Sequence, residues 1–155
     1  MAASTVMIFS GGQTGADRAA LDWAITNNFL HGGWCPQGRI AEDGPLDPCY
    51  KLSETPLPKY AQRTEWNVRD SDGTVIITLT KQLTGGSKLT ARLAKKYYKP
   101  LLHVTFPSRN NAAEQLKEFV RQNKIKLLNV AGPRASTEPH IGKFVTEILD
   151  QTFKS

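Results

Sequence analysis

Residues Thr5 to Arg18 read TVMIFSGGQTGADR, and this stretch decides the fold. Its first part, Thr5 to Ser10, is short, apolar and β-branched, the pattern of a strand buried on both faces, as strands of a parallel sheet are. A glycine loop, Ser10-Gly11-Gly12-Gln13-Thr14-Gly15, follows at once. Ala16 to Asn28 then places Ala20, Leu21, Ala24 and Ile25 at helical spacing, with Asn27-Asn28 as the stop. A strand that enters a helix through a glycine loop is the opening of a β-α unit.

The same alternation runs through the rest of the chain. Tyr60 to Asp70 reads as a short helix, and Thr74 to Thr80 (TVIITLT) as the strongest strand. Gly85-Gly86 opens a helix to about Tyr98, and Leu101 to Phe106 is the next strand. A helix from Ala112 to Asn123, a strand from Leu127 to Ala131 and a closing helix from Glu138 to Phe153 complete the series. Leu30 to Pro58 breaks the pattern. His31 to Pro36 has room for one very short strand, and the remainder, with Gly38, Gly44, Pro45, Pro48, Pro56 and Pro58, reads as an ordered loop. Strands that each give way to a helix predict a three-layer α/β, Rossmann-like fold, a mostly parallel sheet with helices on both faces. No linker or repeat divides residues 1–155, so one ligand-binding domain is expected.

Composition narrows the function classes. At 39% hydrophobic and 22% charged residues, disordered and fibrous classes are excluded. No apolar run approaches the roughly 20 residues of a membrane span, and the first strand is too short for a secretory signal, so a cytoplasmic protein without membrane contact is expected. Cys35 and Cys49 have no partner at metal-ligand spacing and are read as free thiols, with no metal site. The net charge of +6 suits an anionic ligand. Much of that excess lies at helical spacing in Lys88 to Lys99 and Lys117 to Lys126, as on a solvated face. Nothing resembles a nucleic-acid recognition motif, so nucleic acid is not an expected partner.

Ligands of an open parallel sheet bind beyond the carboxyl ends of its strands, and three loops there carry suitable residues. In the first, Gly11, Gly12 and Gly15 let backbone N–H groups approach an anion, and the following helix adds a favourable dipole. Ser10, Gln13, Thr14 and Arg18 add hydrogen-bonding groups, and Asp17 is placed as a helix-dipole partner or an acceptor from ligand hydroxyls. A tight turn alone explains some glycines, but three with polar neighbours exceed what a turn needs. The loop is neither a Walker A sequence nor a dinucleotide fingerprint. The second loop, Thr84-Gly85-Gly86-Ser87, offers another anion cradle at a helix start. The third, Ala131 to Ser136, offers Arg134 for bidentate phosphate contact. Between the first two lies RTEWNVRDSD, Arg63 to Asp72. Its best candidates are Arg63, Asn67, Arg69 and Asp72, and a helix would align Arg63, Asn67 and Asp70 on one face. His31, His103 and His140 are scattered, and no Ser or Cys sits in an elbow motif, so nucleophilic catalysis is not indicated.

Together these segments resemble the molybdenum-cofactor carrier proteins, within the lysine-decarboxylase-like or Lonely Guy-type superfamily. The resemblance rests on SGGQTGADRAALDWA (Ser10 to Ala24), Pro36-Gln37-Gly38-Arg39, RTEWNVRDSDGT (Arg63 to Thr74) and LTGGS (Leu83 to Ser87). The strand and loop LNVAGPR, Leu128 to Arg134, resemble those with which Lonely Guy-type enzymes begin, yet stand near the end here, as a circular permutation would place them.

The resemblance implies a carrier of a phosphorylated ligand, either molybdenum cofactor with its metal already held by the pterin, or a nucleotide. It also implies a homo-oligomer, a dimer or tetramer. The alternative it offers is a nucleoside monophosphate phosphoribohydrolase-like enzyme with Arg63, Asp70, Asp72 or Glu65 as working groups. Against that alternative, Arg92 stands where the motif PGGxGTxxE has its glutamate, Thr84 replaces the motif proline, and Lys88-Leu89 replaces its Gly-Thr. A carboxylate is what such chemistry uses to assist glycosidic cleavage.

Overall fold

The computed structural model describes residues 6–154. Thr5, the first residue of the expected opening strand, lies outside them. Strand β1 (Met7–Phe9) runs through the glycine loop into α1 (Ala16–Thr26). Six more strands and a helix follow, as β2 (His31–Gly32), β3 (Trp34–Cys35), β4 (Ile40–Ala41), β5 (Gly44–Pro45), β6 (Ser53–Glu54), α2 (Tyr60–Asp70) and β7 (Gly73–Thr78). The chain then continues through α3 (Gly85–Lys96), β8 (Leu101–Thr105), a 3-10 turn (Phe106–Ser108), α4 (Arg109–Gln122), β9 (Leu127–Ala131) and α5 (Ile141–Phe153).

The central sheet has the order β2-β1-β9-β7-β8, and every neighbouring pair is parallel. Ile8 lies opposite Leu128, and Val75 opposite both Val130 and Leu102. One face of this sheet is aliphatic, with Ile8, Val75, Ile77, Val104, Leu128 and Val130 all buried. α1, α4 and α5 cover it, with α5 packed on α1 and on α4. The spacing of Ile141, Phe144, Val145, Ile148 and Leu149 places all five on the buried stripe of α5. The other face carries Thr74, Ile76, Thr78, His103 and Asn129. Asn129 Nδ2 donates to Thr74 Oγ1 at 3.2 Å, and His103 Nε2 lies 2.7 Å from Thr78 Oγ1. α2 and α3 pack together on that side.

From β1 the chain steps outward to β2, and from β7 outward to β8, so strand order reverses among β1, β9 and β7. The helices after β9 and β7 leave to opposite faces, which opens a crevice at the carboxyl ends of these strands.

The segment between Leu30 and Pro58, expected as a loop after one very short strand within His31 to Pro36, is corrected by the structure. It holds five two-residue strands: β2 joins the central sheet, β3 pairs parallel with β6, and β4 with β5 forms an antiparallel hairpin. Leu21 of α1 packs with Cys35, Ala41, Leu46 and Leu52 in a separate small core that holds this segment down. Several element ends also move. β7 stops at Thr78, α3 at Lys96 and β8 at Thr105, whereas α4 starts earlier, at Arg109, and α5 later, at Ile141. No helix among the described residues is long and apolar enough to cross a membrane.

Candidate functional site

The crevice holds a cleft of about 320 Å³, walled by the β1-α1 loop, α2, the start of α3 and the segment from Asn129 to Thr137. Its floor is formed by the buried Gln13 and Arg63 and by Asp17, whose side chain is 13% exposed. Arg63 projects from α2 across the glycine loop, where Nη1 donates to the Gly11 carbonyl at 3.0 Å and approaches Asp17 Oδ2 at 3.2 Å. Its Nε donates to the Tyr60 carbonyl at 3.4 Å, while Nη2 makes no hydrogen bond among the described residues. A Cβ at residue 11 would lie 2.3 Å from Arg63 Cδ and Nη1, so glycine there is what admits the guanidinium.

Burial pushes the Asp17 carboxyl up to about 6, against the pull of Arg63 and of backbone N–H groups from Gln13 and Gly11. The same burial lowers the Arg63 guanidinium from its ordinary value. Gln13 Oε1 accepts from the backbone N–H of Thr14 at 3.0 Å and of Glu42 at 2.8 Å, which fixes the amide's orientation. Its Nε2 is buried and has no hydrogen-bond partner among the described residues.

The second loop forms the opposite wall. Thr84, Gly85, Gly86 and Ser87 line the cleft at the start of α3. The N–H groups of Ser87 and Lys88 turn back to the Thr84 carbonyl. Those of Gly85 and Gly86 have no acceptor among the described residues, as at many helix starts. Arg134 lines the third side, with its guanidinium 5.6 Å from the Tyr60 ring centre, while Arg63 lies 5.3 Å from that ring.

Of the residues singled out from the sequence, Gly11, Gln13, Asp17, Arg63, Asn67, Thr84, Gly85, Gly86, Ser87 and Arg134 line one cleft. The others are engaged elsewhere. Ser10 Oγ donates to the Asp17 carbonyl, and Arg18 reaches the Gly12 carbonyl and Asp43. Thr14 Oγ1 donates to Glu42 and accepts from the Ala135 N–H. Gly12 and Gly15 both have positive φ and shape the loop. At Gly15, a Cβ would lie 2.5 Å from the Pro133 carbonyl oxygen. Arg69 pairs with Asp70 and lies 4.4 Å from the Trp66 ring centre, and Asp70 accepts from Trp34 Nε1. Asp72 accepts from the N–H groups of Lys126 and Leu127 at the start of β9. Asn67 brackets the Trp34 backbone, accepting from its N–H and donating to its carbonyl.

Sequence reasoning missed Thr64, Thr90, Asn129 and Thr137 in the lining. A polar asparagine inside the apolar strand LLNVA was the available signal. Arg92, set by register at the glutamate's place, is exposed on α3 and does not line the cleft. The carboxylate that does line it is Asp17. Among the described residues no group of three or more His, Cys, Asp or Glu is arranged to hold a metal ion.

The comparisons with known proteins agree with this architecture. The crystal structure of a protein described as "Putative molybdenum carrier protein", from Syntrophus aciditrophicus SB, superposes with a TM-score of 0.93 at 45% identity. The match covers 96% of this chain and 95% of that one. No protein of curated function matches the chain. Residues 8–153 match the model of the Circularly permutated YpsA SLOG family, in keeping with the displaced LNVAGPR segment. A match over nearly the whole length shows that the chain belongs to the Circularly permutated YpsA SLOG family.

Proposed function

We propose that the cleft holds a small phosphorylated ligand, a pterin phosphate such as molybdenum cofactor or a nucleotide, and that the protein acts as its carrier. One observation carries this reading: hydrogen-bond donors without acceptors converge on a single cleft. They are Gln13 Nε2, the free arm of Arg63 and the N–H groups of Gly85 and Gly86. Gln13 Nε2 is the buried one of these, and a buried donor left unpaired costs about 1–3 kcal/mol, which an acceptor oxygen of a phosphate relieves, while the exposed N–H groups of Gly85 and Gly86 exchange water for the anion. The two glycine loops, with the Arg63 and Arg134 guanidiniums against a single lining carboxyl, favour an anion over a neutral ligand. The cleft volume suits one small molecule.

The likeness to a protein described as a molybdenum carrier directs the choice of ligand class. The residues present fit the phosphate end of such a cofactor. They offer hydrogen bonds but no cluster of metal-ligating groups, so a molybdenum atom would be held by the pterin it arrives with.

A hydrolytic reading rests on Asp17, a cleft-lining carboxyl raised to about 6. Its Oδ2, however, already accepts from Arg63 Nη1. Incubation with nucleoside monophosphates separates the two readings. The carrier reading expects a rise in melting temperature with added monophosphate and no released base, with the rise lost in Arg63→Ala. Base release that disappears in Arg63→Ala would overturn it.

A further inference from the structure

The turn between β4 and β5 carries Glu42, which does not line the cleft but reaches donors that do. Its Oε1 accepts from Ser136 Oγ at 2.7 Å, and Oε2 from the Ser136 N–H at 3.2 Å. Thr14 Oγ1 donates to the same carboxylate, and Arg134 Nη1 lies 3.8 Å from Oε1. A backbone N–H, two hydroxyls and a guanidinium form the donor set with which proteins bind a phosphate or another oxyanion. Here that set is closed on a carboxylate of the same chain, and two of its members, Ser136 and Arg134, belong to the cleft wall. The turn that carries Glu42 is anchored independently of this carboxylate. The Glu42 N–H is held by Gln13 Oε1, and Asp43 pairs with Arg18 at 3.0 Å. The side chain can therefore leave its donors while the backbone stays in place.

We propose that Glu42 is an internal anion that competes with the ligand for the Ser136 and Arg134 end of the cleft and so sets its affinity. The inference rests on the phosphorylated-ligand reading of the cleft. An entering ligand with an oxyanion at this end takes over the Ser136 N–H and hydroxyl and the Arg134 guanidinium, and Glu42 turns out to solvent. When the ligand leaves, Glu42 closes the donors again. At this end of the cleft, bound and free forms thus differ little in unsatisfied groups. Such an exchange suits a protein that must give up what it holds.

Glu42→Gln tests this, because glutamine still accepts from Thr14 and Ser136 but carries no charge. Calorimetric titration with inorganic pyrophosphate is the measurement, on the wild type, on E42Q, and on E42Q combined with Ser136→Ala. The expected result is about tenfold tighter binding in E42Q, since a like charge beside an anion site weakens it by that order. Most of the gain should be lost when Ser136 is also replaced. Equal or weaker binding by a folded E42Q, with wild-type binding intact, would overturn the competition and leave the phosphate reading standing. Should E42Q unfold, Arg134→Gln replaces it. That variant removes the cation but keeps the carboxylate, and an unchanged affinity for pyrophosphate would overturn the proposal. No binding of pyrophosphate by any of the proteins would overturn both the proposal and the reading beneath it.

Discussion

Arg63 and Asp17 form a largely buried ion pair at the cleft floor, and their energetics follow from that burial. Removing one partner strands the other, which is more costly than losing the contact itself. Arg63→Met is expected to lower stability by about 3 kcal/mol in urea unfolding, with Asp17→Asn in the same chain recovering part of the loss. The pH dependence has a definite sign. Asp17 is raised from 3.8 to about 6 in the folded chain, so between these values the folded state binds the proton that the unfolded state has released. Its contribution favours folding most below pH 4 and is lost as pH rises through 6. The wild type minus D17N difference in unfolding free energy should therefore fall by about 2 kcal/mol from pH 4 to pH 7. Carboxylates held low by hydrogen bonds, such as Asp43 and Asp70, run the other way. They cancel in that difference.

The two glycine loops make different demands, and substitution separates them. Gly15 has φ +83°, and its missing Cβ would meet the Pro133 carbonyl and the Ala135 nitrogen. Gly15→Ala is expected to cost more than about 2 kcal/mol, read by thermal melting. At Gly86 an added Cβ meets nothing within 4 Å, so Gly86→Ala should leave stability within about 1 kcal/mol of wild type. Its effect should appear in the titration instead, as weaker anion binding. This division was only half legible in the sequence. That both loops follow strands and start helices was readable from composition, and which glycine serves the turn and which borders open space was not. Asp72 shows the same limit. Its place between the arginine helix and a strand looked suited to a ligand, but it caps the start of β9, more than fifty residues onward. Such a contact leaves no local trace. Nor do strands of two residues, which is why β4 to β6 were invisible among glycines and prolines while the continuous runs of β7 and β9 were not.

At the scale of the whole molecule, the parallel sheet was legible because each long strand is a continuous apolar run feeding an amphipathic helix. The position of β9 between β1 and β7 brings the last glycine-containing loop beside the first, and it also makes the permutation testable. Phe153 at the end of α5 lies 5.7 Å, ring centre to ring centre, from Phe29, which shares a core cluster with Val6. A chain that starts at Lys124, an exposed turn residue with φ +51°, and joins Lys154 to Val6 by a linker of about six flexible residues should fold cooperatively and keep anion binding. Melting and titration of that permutant check it. The cleft itself depends on the carboxyl ends of β1, β9 and β7 meeting, whatever order they have in the chain. Whether the cleft reads a phosphate through otherwise unpaired donors is decided by calorimetric titration with a nucleoside 5′-monophosphate and with the same nucleoside lacking the phosphate. The monophosphate is expected to bind at least about 100-fold tighter than the nucleoside, as two or more charge-assisted hydrogen bonds require, and to lose that binding in Arg63→Ala. Equal affinity for the two, or binding of the monophosphate that survives Arg63→Ala unchanged, would contradict the phosphate reading.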